Sequence, residues 1–138
     1  MIDKMFVATK AFIICDNKVL LLRESSNYKD SAHTGKFDVP GGRIELGQKF
    51  DESLLREVKE ETGFDIEIGK PFFVNESYPT VRGENWQIIR VFFECYSKSK
   101  DVKLSDDHSD FEWIEAKEYQ KYNIIGNLIP VFESFLDK

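Results

Sequence analysis

Residues 41–64 read GGRIELGQKFDESLLREVKEETGF, a glycine pair and a loop leading into a stretch with helical spacing. Over 50–62, Leu54, Leu55, Val58 and Thr62 fall on one side at about 100° per residue, the pattern of a core-facing stripe. Gly63 stands where a helix commonly ends on a left-handed residue. Glu57, Glu60 and Glu61 lie at i, i+3 and i+4 and project within about 100° of one another, in a different sector from the stripe. Like charges at this spacing destabilise an isolated helix by about 0.2–0.5 kcal/mol per pair.

An acidic helix face is usually just a solvated one. Here the preceding loop favours chemistry. The short strand Phe37-Asp38-Val39 stops at Pro40-Gly41-Gly42, since proline removes a donor and glycine permits unusual backbone angles. Strand end, loop and helix can then bring backbone carbonyls and carboxylate oxygens to one point. Hard cations such as Mg2+ take oxygen ligands and share them with substrate phosphates. A cation so held neutralises a diphosphate, polarises phosphorus and activates water.

Outward from this segment, residues 6–15 (FVATKAFIIC) read as a strand, Asp16-Asn17-Lys18 as a turn, and Val19 to Arg23 as the returning strand of a hairpin. Residues 25–36 are polar and loop-like. Strands are expected at 65–68, 71–77, 86–96 and 111–114, with a turn around Pro79 to Asn85. Residues 127–136 place Leu128, Ile129, Phe132, Phe135 and Leu136 at helical spacing. Strands with two well-separated helices predict a mixed sheet covered by helices, in an α/β or α+β domain.

The chain of 138 residues fits one domain, 1–138, and its 41% hydrophobic content is enough to build a core. Apolar runs such as Val19–Leu22 fall far short of a membrane span, and the N-terminus lacks the pattern of a signal peptide. Cys15 and Cys95 sit in apolar runs and read as reduced residues of a cytoplasmic protein. A net charge of −6 excludes a general nucleic-acid binder, which needs a basic face. It leaves room for a polyphosphate ligand with cations in between. Monomer and dimer both remain open.

The segment resembles the box of the Nudix hydrolases, G-x5-E-x7-R-E-U-x-E-E-x-G-U, where U is a bulky aliphatic residue. Counted from Gly42, the chain supplies Arg56, Glu57, Val58, Glu60, Glu61 and Gly63 in register, with Phe64 at the last bulky position. The flanks, Val19–Arg23, Phe37–Gly42 and Phe111-Glu112-Trp113, also resemble the family. The resemblance implies an α/β/α sandwich with a mixed β-sheet. It implies a MutT-like pyrophosphohydrolase that cleaves the diphosphate linkage of a small nucleotide-type substrate. By the same resemblance, Glu57, Glu60 and Glu61 are Mg2+ or Mn2+ ligands and catalytic residues, and Gly41 adds its backbone carbonyl. Arg56 orients Glu57, while Arg23 and Gly42 meet the substrate.

One position departs from the pattern. Gln48 stands where the box has glutamate, and its neutral amide cannot act as a general base. Glu45 is near enough in sequence to compensate. A further base or ligand is sought among Asp106, Asp107, His108, Asp110 and Glu112, with Glu84 as another candidate. Phe37, Tyr78 and Trp86 are candidate surfaces for stacking a base. Pro79, 15 residues after Phe64, lies near where ADP-ribose-cleaving members carry a proline. The substrate therefore stays open between a nucleoside triphosphate, which is favoured, and ADP-ribose or a nucleotide sugar. A catalytically weak nucleotide-binding module is a third reading.

Overall fold

The hairpin at the N-terminus forms as the sequence indicates. In the computed structural model, which describes residues 1–26 and 33–138, β1 (Lys4–Cys15) returns as β2 (Lys18–Glu24). Asp16 and Asn17 carry φ of 51° and 64°, and two successive left-handed residues give a tight turn whose twist suits antiparallel strands. The polar segment 25–36 lies in part, at 27–32, outside the described residues. The expected short strand after it is β3 (Phe37–Asp38).

Pro40-Gly41-Gly42 does more than stop a strand. Gly41–Arg43 forms β4, paired antiparallel with β1 through Ala8↔Arg43, Thr9↔Gly42 and Lys10↔Gly41. A Cβ on Gly41 would stand 2.2 Å from the Thr9 carbonyl oxygen, and its φ is 140°, so only glycine lets the strands meet here. The two strands expected at 65–68 and 71–77 are one, β5 (Glu67–Ser77). Pro71 lies where the register with the next long strand shifts, so an irregularity absorbs its missing N–H. β6 (Thr80–Val81) turns into β7 (Glu84–Tyr96), and β8 (His108–Ile114) starts ahead of the expected 111–114.

The main sheet runs β3-β2-β1-β7-β5, with β4 added on β1, β8 on β2 and β6 on β7. β1 and β7 are parallel from Lys4↔Trp86 to Ile14↔Tyr96, while the remaining pairs are antiparallel. Alternate residues of the central strands feed two cores, because successive side chains point to opposite faces. Phe12, Val19, Leu21 and Phe92 pack with Leu128, Val131 and Phe132 of the C-terminal segment. Ala11, Ile13, Leu20, Leu22 and Phe93 pack with Leu54 and Val58. The first group lies under α2 (Ile129–Leu136) and the second under α1 (Phe50–Thr62), which makes an α/β/α sandwich with a mixed sheet. This is why Val19–Leu22 reads as an unbroken apolar run: both faces are covered. Among the described residues, no helix is long and apolar enough to cross a membrane.

Both helices are rotated from the stripes expected of them. Leu55 is 41% exposed, whereas Ser53, Leu54, Val58 and Thr62 are buried. The inward face of α1 is displaced toward Glu57 and Glu61, which are both partly buried. The carboxylates and the core stripe thus do not occupy separate sectors. In the C-terminal segment, residues 126–128 form a 3-10 turn, so α2 starts later than residue 127. There Ile129 and Leu136 are exposed and Val131 is buried. Leu54→Ala is expected to lower unfolding free energy in urea by about 2–5 kcal/mol, and Leu55→Ala by less than about 1 kcal/mol. Equal losses would contradict the orientation of α1.

Candidate active site

The segment 41–64 folds so that β4 lies between β1 and α1. The Gly41 N–H donates to Glu61 Oε2 at 2.9 Å, tying the strand to the helix. Gly42 faces Glu57: a Cβ there would lie 3.1–3.3 Å from the atoms of the Glu57 carboxylate, so glycine leaves the space that group fills. Glu57 and Glu61 line a cavity of about 1100 Å³ together with Gly41, Gly42, Gln48 and Asp107. A second cavity of about 520 Å³, on the face of the sheet that carries α2, shares Gly41, Gly42 and Arg43 with the first.

The chemistry of the pair suits a hard cation. Burial pushes the Glu61 carboxyl up to about 8, against the pull of Lys10 and the Gly41 N–H, while Glu57 and Asp38 push it higher still. Burial also raises Glu57, opposed by Arg56. Two enclosed oxygen donors short of positive charge, beside a glycine that makes room, fit a divalent ion. Among the described residues, however, no three Asp, Glu, His or Cys side chains converge on one point. Glu60 is the member that stands apart. Its side chain is 57% exposed and accepts from Arg56 Nη1 at 3.3 Å. Arg56 also reaches Glu57 Oε1 through Nη2 at 3.2 Å, so it bridges the two glutamates. For Gly41, the group turned to the carboxylates is its N–H.

The loop holds without the usual glutamate. Gln48 Oε1 accepts the Glu45 N–H at 3.1 Å, and the Gln48 N–H donates to the Glu45 carbonyl at 3.0 Å. An amide oxygen accepts such a bond as a carboxylate would.

Other expected residues are dispersed. Arg23 lines neither cavity; its Nη2 pairs with Asp110 Oδ2 at 3.1 Å, because β2 and β8 lie side by side there. Glu84 pairs with Lys4 and accepts from Trp86 Nε1, and Glu112 is exposed on β8. The Asp106 carbonyl accepts from Ser25 Oγ. Asp107 and, from the loop before α1, Glu45 are acidic loop residues that reach the carboxylate cavity. His108 is partly buried, and burial first, then Lys10, lowers its pKa. Phe37 is 8% exposed within the core, which removes it as a stacking surface. Trp86 lines the smaller cavity but is packed edge-on against Phe6, with Arg43 over both rings. Tyr78, 58% exposed, lines that cavity too.

Several residues of the site went unnoticed in the sequence. Lys10 Nζ donates to Asp38 Oδ2 at 3.0 Å, and this largely buried pair lines the smaller cavity. Arg43, Arg90 and Asn127 line it as well. The available signal was a basic residue interrupting each apolar run, Lys10 in 6–15 and Arg90 in 86–96.

A family model described as the NUDIX domain matches residues 5–135, and the chain belongs to that family. It is a MutT-like Nudix hydrolase, a pyrophosphohydrolase. Nucleoside triphosphatase NudI of Escherichia coli O81 (strain ED1a) is 29% identical over 97 residues, covering 65% of this chain and 69% of that protein. The crystal structure of the MutT protein from Methanosarcina mazei Go1 superposes with a TM-score of 0.84 at 27% identity, over 96% of this chain and 94% of that one. The solution structure of the E. coli ORF135 protein gives 0.74 at 22% identity, over 97% and 90%.

The raised Glu61 pKa fixes the sign of a pH effect. A carboxyl that titrates near 8 when folded and near 4.5 when unfolded favours folding while protonated, and loses that contribution as pH rises between those values. In chelator, Glu61→Gln is therefore expected to melt above the parent at pH 8.5, with the difference vanishing toward pH 4.5. Identical melting curves across that range would show that Glu61 is not enclosed.

Proposed function

We propose that the protein hydrolyses the diphosphate linkage of a nucleoside triphosphate or related nucleoside diphosphate derivative, using Mg2+ or Mn2+. The observation that carries this reading is the placement of Glu57 and Glu61 in one cavity against Gly41 and Gly42, with a second cavity adjoining across β4. The NudI relatives, named nucleoside triphosphatases, agree with it. Glu57 and Glu61 are the residues that would hold the cation, with Glu60 joining once released from Arg56. The cation supplies neutralisation of the diphosphate and activation of water.

The chain's own groups do the positioning. Arg56 restrains Glu57 from the solvent side, and the Gly41 N–H restrains Glu61 from the sheet side. Gly42 and Arg43 form the rim between the cavities, where a diphosphate can lie with its nucleoside end in the smaller one. Water adds to one phosphorus and the P–O anhydride bond breaks, leaving a nucleoside monophosphate and pyrophosphate or a phosphorylated remainder. Fixed groups lower the barrier chiefly by orientation and charge stabilisation. The intact Glu45–Gln48 turn favours an active enzyme over a binding module that has lost turnover. Residues 1–138 are proposed to act as one catalytic domain in the cytoplasm, a compartment that suits the free, buried Cys15 and Cys95.

A panel of nucleoside triphosphates, oxidised nucleotides, nucleotide sugars and dinucleoside polyphosphates, each with Mg2+ and Mn2+, is expected to release monophosphate or pyrophosphate from at least one compound. On that compound, Glu57→Gln and Glu61→Gln should each lower kcat/KM by about 100-fold or more while the fold is retained. Turnover unaffected by both changes would rule out the assigned centre.

A further inference from the structure

The smaller cavity has an aromatic and aliphatic wall in Tyr78, Trp86 and Ile88, and it meets the carboxylate cavity at Gly41, Gly42 and Arg43. It also holds a charged pair set across the sheet. Lys10 of β1 and Asp38 of β3 are largely buried, and Lys10 Nζ donates to Asp38 Oδ2 at 3.0 Å. Their neighbours leave the pair uncovered. Ala8 stands two residues before Lys10 on the same face of β1, and Gly41 is the partner of Lys10 across β4. Neither carries a side chain long enough to lie over the pair.

The pair is not saturated. An ammonium carries three N–H donors, and each carboxylate oxygen has room for two bonds. Among the described residues, Lys10 Nζ makes one hydrogen bond and Asp38 Oδ2 accepts one. The Val39 N–H donates to Asp38 Oδ1 at 2.7 Å and so fixes the carboxylate. Spare donors and a spare acceptor site therefore stand side by side in the cavity. What they can hold follows from charge. Lys10 and Asp38 together are neutral, so a phosphate would be drawn by one and repelled by the other. A hydroxyl suits both, because its oxygen accepts from Nζ while its hydrogen goes to Oδ2. Hydrogen bonds to ionised partners are also the stronger ones.

We propose that Lys10 and Asp38 bind a hydroxyl of the substrate's pentose and so set a preference for that sugar over one lacking the hydroxyl. This deepens the reading of the chain as a nucleotide hydrolase and rests on it. In a nucleotide whose diphosphate lies over Gly42 and Arg43, the sugar joins the diphosphate to the base. It is then the part that falls beside the residue paired with Gly41. Arg43, which lines both cavities, is placed for the diphosphate instead. Largely buried polar groups that fit a hydroxyl reject an analogue without it, because those groups are left unpaired.

The test uses the ribo, 2′-deoxy and 2′,3′-dideoxy monophosphates of guanine and of uracil, which within each set differ only in sugar hydroxyls. Calorimetry on the full chain, with chelator present, is expected to show at least one hydroxylated form bound about tenfold or more tighter than the dideoxy form. In Lys10→Met/Asp38→Leu that preference should fall to within about threefold, through weaker binding of the hydroxylated form and unchanged binding of the dideoxy form. Exchanging a buried ion pair for apolar residues of similar size is often neutral for stability, and melting curves check the fold. Asp38→Asn, which turns an amide donor toward Nζ, should narrow the preference as well. Equal binding of all three forms by the parent, no binding of any at millimolar concentration, or a preference that survives in the folded variants would overturn the proposal. Turnover of GTP, dGTP and dideoxy-GTP with Mn2+, and of the matching uracil set, separates the two layers. Turnover without discrimination sinks only the sugar assignment, while discrimination in binding without turnover of any nucleotide sinks only the hydrolase reading.

Discussion

The hydrogen bond from the Gly41 N–H to Glu61 sets the position of everything else in the site. It exists because β4 lies closer to β1 than any side chain at residue 41 would allow. That approach presents a strand edge to α1 on the side where the helix carries Glu57 and Glu61. The helix in turn is rotated to bury that edge, leaving Leu55 outside. A carboxylate drawn into a poorly hydrated place gains proton affinity, and in the absence of a proton it requires a cation. The strain on Glu61 is thus the same property that suits the pair to hard ions.

From this tie the two cavities acquire their relation. β4 is a narrow partition, with carboxylates on one side and a cavity walled by β7, β5 and the turn before α2 on the other. Arg43 caps the partition, held over Phe6 and Trp86 by contacts of 4.5 and 5.1 Å to their rings. Such cation–π contacts contribute about 0.5–1 kcal/mol where exposed and more when desolvated. They keep a positive group at the boundary between the two cavities. Lys10 is paired with Asp38 in the smaller cavity, and the two side chains are largely buried.

The parts legible in the sequence were those set by neighbouring residues. Helix α1 ends where Gly63 indicated, the hairpin turns at Asp16-Asn17, and Glu57, Glu60 and Glu61 lie on that helix as their spacing indicated. The unread parts depend on register between distant segments. β4 exists only because of its partner β1, and Pro71 was absorbed by an irregularity that neighbouring residues could not announce. Arg23 pairs with Asp110 across β2 and β8, a neighbour that nothing local to Arg23 in the sequence announces. Phe37 looked like a stacking surface until its strand was covered by Tyr122 and the C-terminal segment. Arg90, Asn75 and Asn127 meet only through the β5–β7 pairing and a 3-10 turn some fifty positions on.

The proposed centre of this molecule's chemistry is a pair of enclosed carboxylates tied to a glycine strand. Crystals soaked in Mn2+ and measured for anomalous scattering address it most directly. The expected result is a peak in direct contact with oxygens of Glu57 and Glu61, beside Gly41, with Glu60 drawn away from Arg56. No peak in that cavity, or one held only by surface carboxylates elsewhere, would contradict it.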